Sequence, residues 1–555
     1  MYQRLKEINF RKPLELEWNS IFLILGFFVL AAILIAWTQR PDEELLLERL
    51  KDLDLPIVGV GPNINVSESL EIGTQTYPNS PYVVPADRVP IVILPNSAIN
   101  IIKSLPEAKI SFEKEVYARH LAHLLLKKDQ KIFSEPILNS IKQDLTRNIS
   151  KTLDTLWDEV DYAFEKNIGT LPDDDDGWKN VSVYGKVLNV VALLSGRVFV
   201  GAPLCRDEEW IKATIAYTII LGVTVGMLWK RPWWQRKILA PLYFRTLVGV
   251  HKKAEELLKP LLEREAALDP SEWEKKAGEQ NDGQLIRWLL SHTPQKGGKI
   301  DVKQLAHDQL TVSLAAIHTT SITISHLLYD LATYPEHVAP LRTELESVIA
   351  DHKTAGGNGK LSKVELTKLW KMDSFIKESQ RLNPPILVQM RRYLTSPLAL
   401  PSGHILPSGT FCGVDAQMTN RTVPYYEASP ITHQQTPFDT FDGFRFSKLR
   451  SVPGNENRYQ FVTSSTESLN FGHGTFFINL DTLFDLCLSI NELGTHACPG
   501  RFFASNEIKI AFAEVLLKWD VRLKPGEGRP ANLYTDTNVM PNMKGEVQMR
   551  RRELI

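Results

Sequence analysis

The chain has 555 residues, 64 Lys and Arg against 65 Asp and Glu (formal charge −1), and 43% hydrophobic and 9% aromatic residues. That much apolar material excludes a mainly disordered chain, and balanced charge excludes a general nucleic-acid binder, which needs surplus Lys and Arg facing phosphates. There are four Cys (Cys205, Cys412, Cys487 and Cys498) and no C-x-x-C pair, so neither a disulfide framework nor a thiolate zinc finger is expected.

Residues 1–40 read as a leader and membrane anchor. From Trp18 to Trp37 no residue is charged, and the run is long enough for a helix to cross a hydrocarbon core of about 30 Å. Trp at each end suits the two interfaces. A cleaved signal peptide fits less well, because the apolar run is long and no small-residue cleavage site follows. Basic residues lie before the span (Arg4, Lys6, Arg11, Lys12) and after it (Arg40, Arg49, Lys51), leaning by one charge to a cytosolic N-terminus. A second apolar run, Ala213–Trp229, is shorter and contains two Gly and three Thr. It is expected as a buried helix or a surface-inserted hairpin, not a second span.

Along the remaining chain, YVVP and VPIVIL within 82–105 read as short strands. Residues 110–170 have helical periodicity, and 250–290 read as charged helix with i,i+4 pairs. Asp173–Asp176 is a solvated acidic loop, and Ala355–Lys360 a flexible one. Beyond residue 390 the chain turns Pro-, Gly- and Thr-rich, with β-like pieces such as HILPSGTFCG. The expected fold class is mainly α with a minor, late β part. Length alone suggests about three or four domains.

Three segments carry candidate chemistry. Leu310–Leu331 reads as a long apolar helix interrupted by Ala315, Ala316, His318, Thr319 and Thr320; alone, it is best explained as a buried helix whose hydroxyls bond to carbonyls one turn back. In SFIKESQRLNPP, Glu378 and Arg381 share a helix face, and burying such a pair demands a third charged partner. In HACPGRFFASNEIKIAFAEVLLKW, an amphipathic helix is expected over Arg501–Trp519, with Cys498 just before it and Pro499 and Gly500 making the turn. A thiol there feels the positive end of the helix dipole and free N–H donors, both of which favour thiolate. The alternative, an inert buried Cys, is opposed by the turn and the helix start.

In this order the segments resemble the cytochromes P-450, the haem-thiolate monooxygenases, over most of residues 50–550. The resemblance implies a single haem-thiolate domain over 41–555 behind an N-terminal transmembrane helix. It implies haem b as cofactor with Cys498 as axial thiolate, a ligand that favours O–O cleavage. Phe471, Gly474 and Gly500 complete the cysteine loop, and His496 stands where a propionate-contacting Arg is usual. Arg391 or Arg392 matches a second propionate contact. Thr319 matches the family's proton-supplying Thr, and His318 replaces the usual acid beside it. Arg445, in FDGFRF, would be the third partner of Glu378 and Arg381. By the same analogy Phe112, Ile317 and Val388 would line the substrate pocket.

The stretch LSGRVFVGAPLCRDEEW is similar to fungal members of secondary metabolism, of the ent-kaurene-oxidase-like and indole-diterpene kind. That implies insertion of oxygen from O2 into a hydrophobic terpenoid- or alkaloid-type substrate. No G-x-G-x-x-G fingerprint is visible, so electrons are expected from a separate NADPH-cytochrome P-450 reductase. The family's topology implies a single-pass protein of the endoplasmic reticulum membrane, in contact with lipid, its catalytic domain facing the cytosol and its sequons at Asn65, Asn148, Asn180 and Asn420 mostly unused.

One departure stands out. The family pattern F-x-x-G-x-R/H-x-C-x-G begins at Phe471 and finishes at Gly500, with 20 residues, 475–494, inserted in it. Deleting them gives FGHGTHACPG. Removal restores spacing and frame, so the segment is read as a retained intron, with Cys487 inside it and no ligand. The alternative is a genuine insertion bulging from the loop, with an apolar load unusual for a surface segment. An interrupted loop also opens the reading of a catalytically impaired or dead homologue.

Overall fold

The computed structural model describes residues 50, 53–59, 65–86, 88–126, 131–268, 283–293, 301–421, 439–474 and 497–553. The expected anchor at 18–37, the 475–494 segment with Cys487, and His496 lie outside them.

In chain order come α1 (Val66–Thr76), β1 (Tyr82–Val84), β2 (Ile91–Leu94), β3 (Ile110–Ser111) and α2 (Phe112–Arg119). Next are α3 (Ile149–Phe164), β4 (Lys179–Ser182), α4 (Val183–Phe199), α5 (Glu208–Trp229), α6 (Trp233–Tyr243) and α7 (Arg245–Ala266). α8 (Val302–Thr333), α9 (Val338–Thr354), α10 (Trp370–Leu382), β5 (Val388–Leu394) and β6 (Phe411–Asp415) follow. The chain closes with α11 (Arg501–Lys518), β7 (Trp519–Arg522), β8 (Leu533–Thr535), β9 (Asn538–Met540) and β10 (Glu546–Arg551). The expected mainly helical fold with a minor β part is what the chain adopts.

α8 is the axis of the helical body. Its 32 residues span about 48 Å at 1.5 Å per residue. Asp301 starts it, its carboxylate accepting from the Gln304 N–H at 3.1 Å. Thr and Ser would otherwise weaken such a helix, but here their hydroxyls donate to carbonyls one turn back: Thr311 to His307, Ser321 to Ile317, Thr323 to Thr319, Ser325 to Ser321 and Thr333 to Tyr329, all within 3.0 Å. Burial of these groups therefore strands few donors. α4, α5, α7, α10 and α11 all pack on α8.

One helix differs from expectation, and α5 lies between its two expected readings. α11 is not amphipathic in its setting: residues 507–516 are all buried, because α3, α8 and α9 enclose it. Lys509 is satisfied internally, against Asp373 at 2.6 Å. α5 is buried on one side only. Tyr217, Leu221, Val225 and Leu228 face the core, while Ile219, Val223 and Met227 are exposed.

The main sheet has the order β1-β2-β6-β5-β3, with β2 and β6 parallel (Val92 opposite Cys412) and the other pairs antiparallel. A register shift between Gln389 and Arg392, with Met390 at φ 53°, bends β5 and re-aims Arg391 and Arg392. A second sheet, β4-β10-β7, ties the chain end to the start of α4, and β8 and β9 form a hairpin whose turn holds Asp536 at φ 51°.

α10 carries the expected ion network. Arg381 donates to both Glu378 oxygens at 2.8 Å, and Arg445 Nε approaches them at 3.1 and 3.2 Å. Glu378 is 0% exposed, so its charge depends on both guanidiniums. Both also donate to the Thr440 carbonyl, and the Asp442 N–H donates to Glu378 at 2.9 Å, fixing the entry to FDGFRF. Gly443 is required there: a Cβ would lie 2.6 Å from Phe375 and from His337.

Replacing Arg445 by Ala should cost about 3–5 kcal/mol of stability, since Glu378 loses a partner in a dry site. Chemical denaturation checks this; a loss under about 1 kcal/mol, typical of an exposed pair, would contradict the buried-network reading.

Candidate haem site

Phe471–Gly474 forms one side of the cysteine loop and Ala497–Gly500 the other. The backbone N–H of Cys498 donates to the Phe471 carbonyl at 2.8 Å. Gly472, at φ 70°, makes the turn, its N–H bonded to the Leu469 carbonyl at 2.7 Å. The Phe471 ring sits edge-on to Phe461 with centroids 5.3 Å apart. Gly500 caps α11, and a Cβ there would meet no atom within 4 Å, so space remains beside the cysteine.

Cys498 presents accessible surface at the loop. Burial pushes its thiol up, with the Gly500 N–H, the Arg501 charge and the Arg501 N–H pulling the other way. The expected bias to thiolate from the helix terminus is thus outweighed by desolvation; a coordinated metal ion is what deprotonates such a thiol outright. Cys205 and Cys412 are buried, and burial raises both thiols to about 12.

One face of α8 is open in the same way. Ala315 and Thr319, one turn apart, are exposed, and Ala316 and His318 are half-buried, in a helix otherwise mostly buried. The Thr319 hydroxyl donates to the Ala315 carbonyl at 2.7 Å. His318 turns to α4, where Tyr184 Oη lies 3.0 Å from Nδ1. Burial lowers His318 to about 4 and raises Tyr184 to about 12, so both are neutral; with Tyr184 donating to Nδ1, the imidazole carries its own proton on Nε2, which is buried with no partner.

Arg391 enters a buried charge cluster. Its Nε lies 3.6 Å from Glu115 and its Nη1 donates to Thr537 at 3.2 Å. Arg119 joins Glu115 to Asp536, at 2.5 and 3.3 Å. Burial lowers Arg391 to about 10. For Glu115, burial acts upward, but Arg391 and Arg119 hold it below the usual carboxylate range. Arg392 points elsewhere, donating to the Arg391 carbonyl and lying over the Phe112 ring at 5.4 Å.

The three expected pocket residues separate. Phe112 is exposed. Ile317 lies in the main core, because it is on the face of α8 away from Ala315 and Thr319. Val388 is packed inside the sheet cluster with Leu387 and Val539. Neither offers a surface, so both are corrected to core positions.

The residues fit a haem: an accessible loop cysteine at a helix start, a small-residue face with one hydroxyl on the helix packed against it, and a buried guanidinium. Tyr184, Glu115, Arg119 and Asp536 were not found from sequence. Only the i,i+4 pair Glu115 and Arg119 left a local signal; the others meet their partners from distant segments.

Comparison with known proteins agrees. The family model for cytochrome P-450 matches residues 163–474, more than half of the chain. The chain belongs to the cytochrome P-450 family. It is 96% identical over 555 residues, all of both chains, to cytochrome P-450 monooxygenase BOA7 of Botryotinia fuckeliana (strain B05.10). It is 40% identical over 520 residues to cytochrome P-450 monooxygenase ascG of Acremonium egyptiacum, covering 90% of this chain and 91% of that one. The structure of a retinoic acid-bound cyanobacterial family member, CYP120A1, shares the fold at TM-score 0.62 and 14% identity, over 90% of this chain and 99% of that one. As a cytochrome P-450 monooxygenase the chain uses haem, dioxygen, a redox partner and a small-molecule substrate.

Cys498→Ser should abolish the thiolate-type Soret band of the reduced carbon-monoxide complex, whereas Cys205→Ala and Cys412→Ala keep it. A band surviving in Cys498→Ser would overturn the ligand assignment.

Proposed function

We propose that this cytochrome P-450 inserts oxygen from O2 into a hydrophobic, terpenoid- or alkaloid-type scaffold of fungal secondary metabolism, with electrons from an NADPH-cytochrome P-450 reductase. The observation carrying this is the open Ala315–Thr319 face of α8 together with the accessible Cys498. Haem held by Cys498, with Arg391 the better placed of the two arginines for a propionate, supplies the oxidising chemistry. This chain's residues orient substrate and manage protons. Ala315 and Ala316 leave room for a bulky apolar scaffold, with exposed Phe112 as a further apolar contact. Thr319 holds its proton against the Ala315 carbonyl and can redirect it with a side-chain rotation. His318, neutral and oriented by Tyr184, holds a second proton at Nε2, doing with an imidazole what the family usually does with an acid.

Thr319→Ala should lower product formation by about 10²-fold, the scale of one positioned proton donor, while NADPH is still consumed and peroxide accumulates. Product yield per NADPH equal to that of the parent would contradict the assigned role.

We propose further that residues 475–494 are a retained intron, dispensable to the haem loop. The bond from Cys498 N–H to the Phe471 carbonyl supports this, since it closes the loop from residues flanking the segment. Without it Phe471 and Cys498 stand seven apart, the family spacing. The family match also ends at Gly474, where the segment begins. These points favour an active enzyme over an impaired homologue. Sequencing the spliced message should find a transcript lacking codons 475–494, whose product takes up haem; a message that always encodes them sinks the idea.

Membrane attachment at the endoplasmic reticulum, single-pass and cytosol-facing, is proposed from the 18–37 run. α5 and α6 support a second contact. Exposed Ile219, Val223 and Met227 continue into Trp234, Ile238 and Leu242, with Lys230 and Arg231 between the helices, a composition suited to an anionic lipid surface. In liposomes, brominated lipid should quench the parent protein more than Trp234→Phe; equal quenching removes the contact.

A further inference from the structure

α11 carries Glu507, nine residues after Cys498, and its carboxyl is 0% exposed. One oxygen accepts a hydrogen bond from Ser195 of α4 at 2.7 Å. The other, Oε2, is buried without a well-formed hydrogen bond, and so is the hydroxyl of Thr320 on α8, which lies close enough to the carboxyl to act on it. Among the described residues, no Lys, Arg or His pairs with Glu507; Glu378, Asp373, Glu115 and Glu159 are buried acids that do have cationic partners, while Asp308 and Asp415 are held, like Glu507, by neutral donors.

We propose that Glu507 is a neutral acid that positions the oxygen-facing turn of α8 on the helix beginning at the cysteine loop, its Oε2 proton directed to Thr320. An ionised carboxylate at this place would forgo several kcal/mol of solvation with no cation in return. Burial pushes this carboxyl up to about 8, with Ser195 and Thr320 acting the other way. A protonated carboxyl has one donor to place, and the neighbouring unpartnered oxygen is Thr320 Oγ1.

The placement matters because Thr320 follows Thr319. Fixing Thr320 on α11 fixes the rotation of α8 about its axis, and therefore the direction in which Ala315 and Thr319 present their open face. α4 holds both flanks of that turn, through Tyr184 to His318 and through Ser195 to Glu507. Glu507 is a positioning residue: it acts on the site through Thr320, and Glu507→Gln keeps both its shape and a donor.

Two infrared measurements on the haem-loaded full chain test this. At neutral pH the parent should show a protonated-carboxyl stretch that Glu507→Gln lacks and Thr320→Val shifts. Absence of that band, or a band Thr320→Val leaves unmoved, overturns the proposal. In the reduced carbon-monoxide complex, the C–O stretch should shift or broaden in Glu507→Leu and Thr320→Val and return to the parent value in Glu507→Gln. If Glu507→Leu fails to retain haem, Thr320→Val decides alone. An unchanged C–O stretch in Thr320→Val, or a Glu507→Gln that fails to restore the parent value, rejects the positioning role.

Discussion

The structure depends on the polar face of one buried helix. α10 is only 13 residues long, yet nearly every polar residue on it holds a different part of the molecule. Glu378 fastens Arg445 and the FDGFRF entry. Asp373 takes Lys509 of α11 and the Phe461 N–H. Ser374 accepts from the Phe446 N–H, Lys377 reaches Gln460 and Ser468, and Ser379 donates to Asp330 of α8. The run from 439 to 471, a short helix at Arg445–Arg450 followed by turns, is given its path by these side chains. That path delivers Phe471 to the cysteine loop. An apolar helix could not do this, because dispersion contacts lack the direction needed to fix a loop.

The two ends of the haem site are built by different means. The cysteine side is a backbone construction: a glycine turn, the bond between Cys498 and Phe471, and a helix start. The oxygen side is a surface left open on a helix that is otherwise covered, through small side chains at Ala315 and Ala316. Beside that face Tyr184 reaches in from α4, which packs along α8, to meet His318. Dry surroundings keep His318 neutral and Tyr184 protonated, so this pair provides donors and acceptors without a net charge to be solvated.

What could be read from sequence follows from how local each constraint is. Cys498, Gly500 and the helix start lie within a few residues, and Glu378 and Arg381 share one turn, so their chemistry is visible as spacing. Burial of that pair asks for a third charged partner without saying which, and it is the family resemblance that points to Arg445. Tyr184 with His318, and Ser195 with Glu507, join residues 134 and 312 positions apart, and no spacing rule links them. The expected amphipathic α11 shows the complementary error: polar residues at helical spacing imply a wet face only when no partner waits across the interface, and Lys509 and Glu507 both have partners. Ile317 was misplaced because neighbours on a helix differ by about 100° in direction; the one turn containing Ala315 and Thr319 has room for a pocket, and Ile317 faces away from it.

The back-bonded hydroxyls of α8 give that helix a property that packing alone would not. A carbonyl that accepts from both a backbone N–H and a side chain keeps one bond when the other opens. The Ala315 carbonyl holds the Thr319 hydroxyl in this way, so the turn facing the haem can widen or admit a water without leaving an oxygen bare in a dry interior. Of the back-bonded turns of α8, the one at Ala315 and Thr319 combines this second bond with an open face, whereas Thr311, Ser321, Thr323 and Ser325 make theirs in the buried interior.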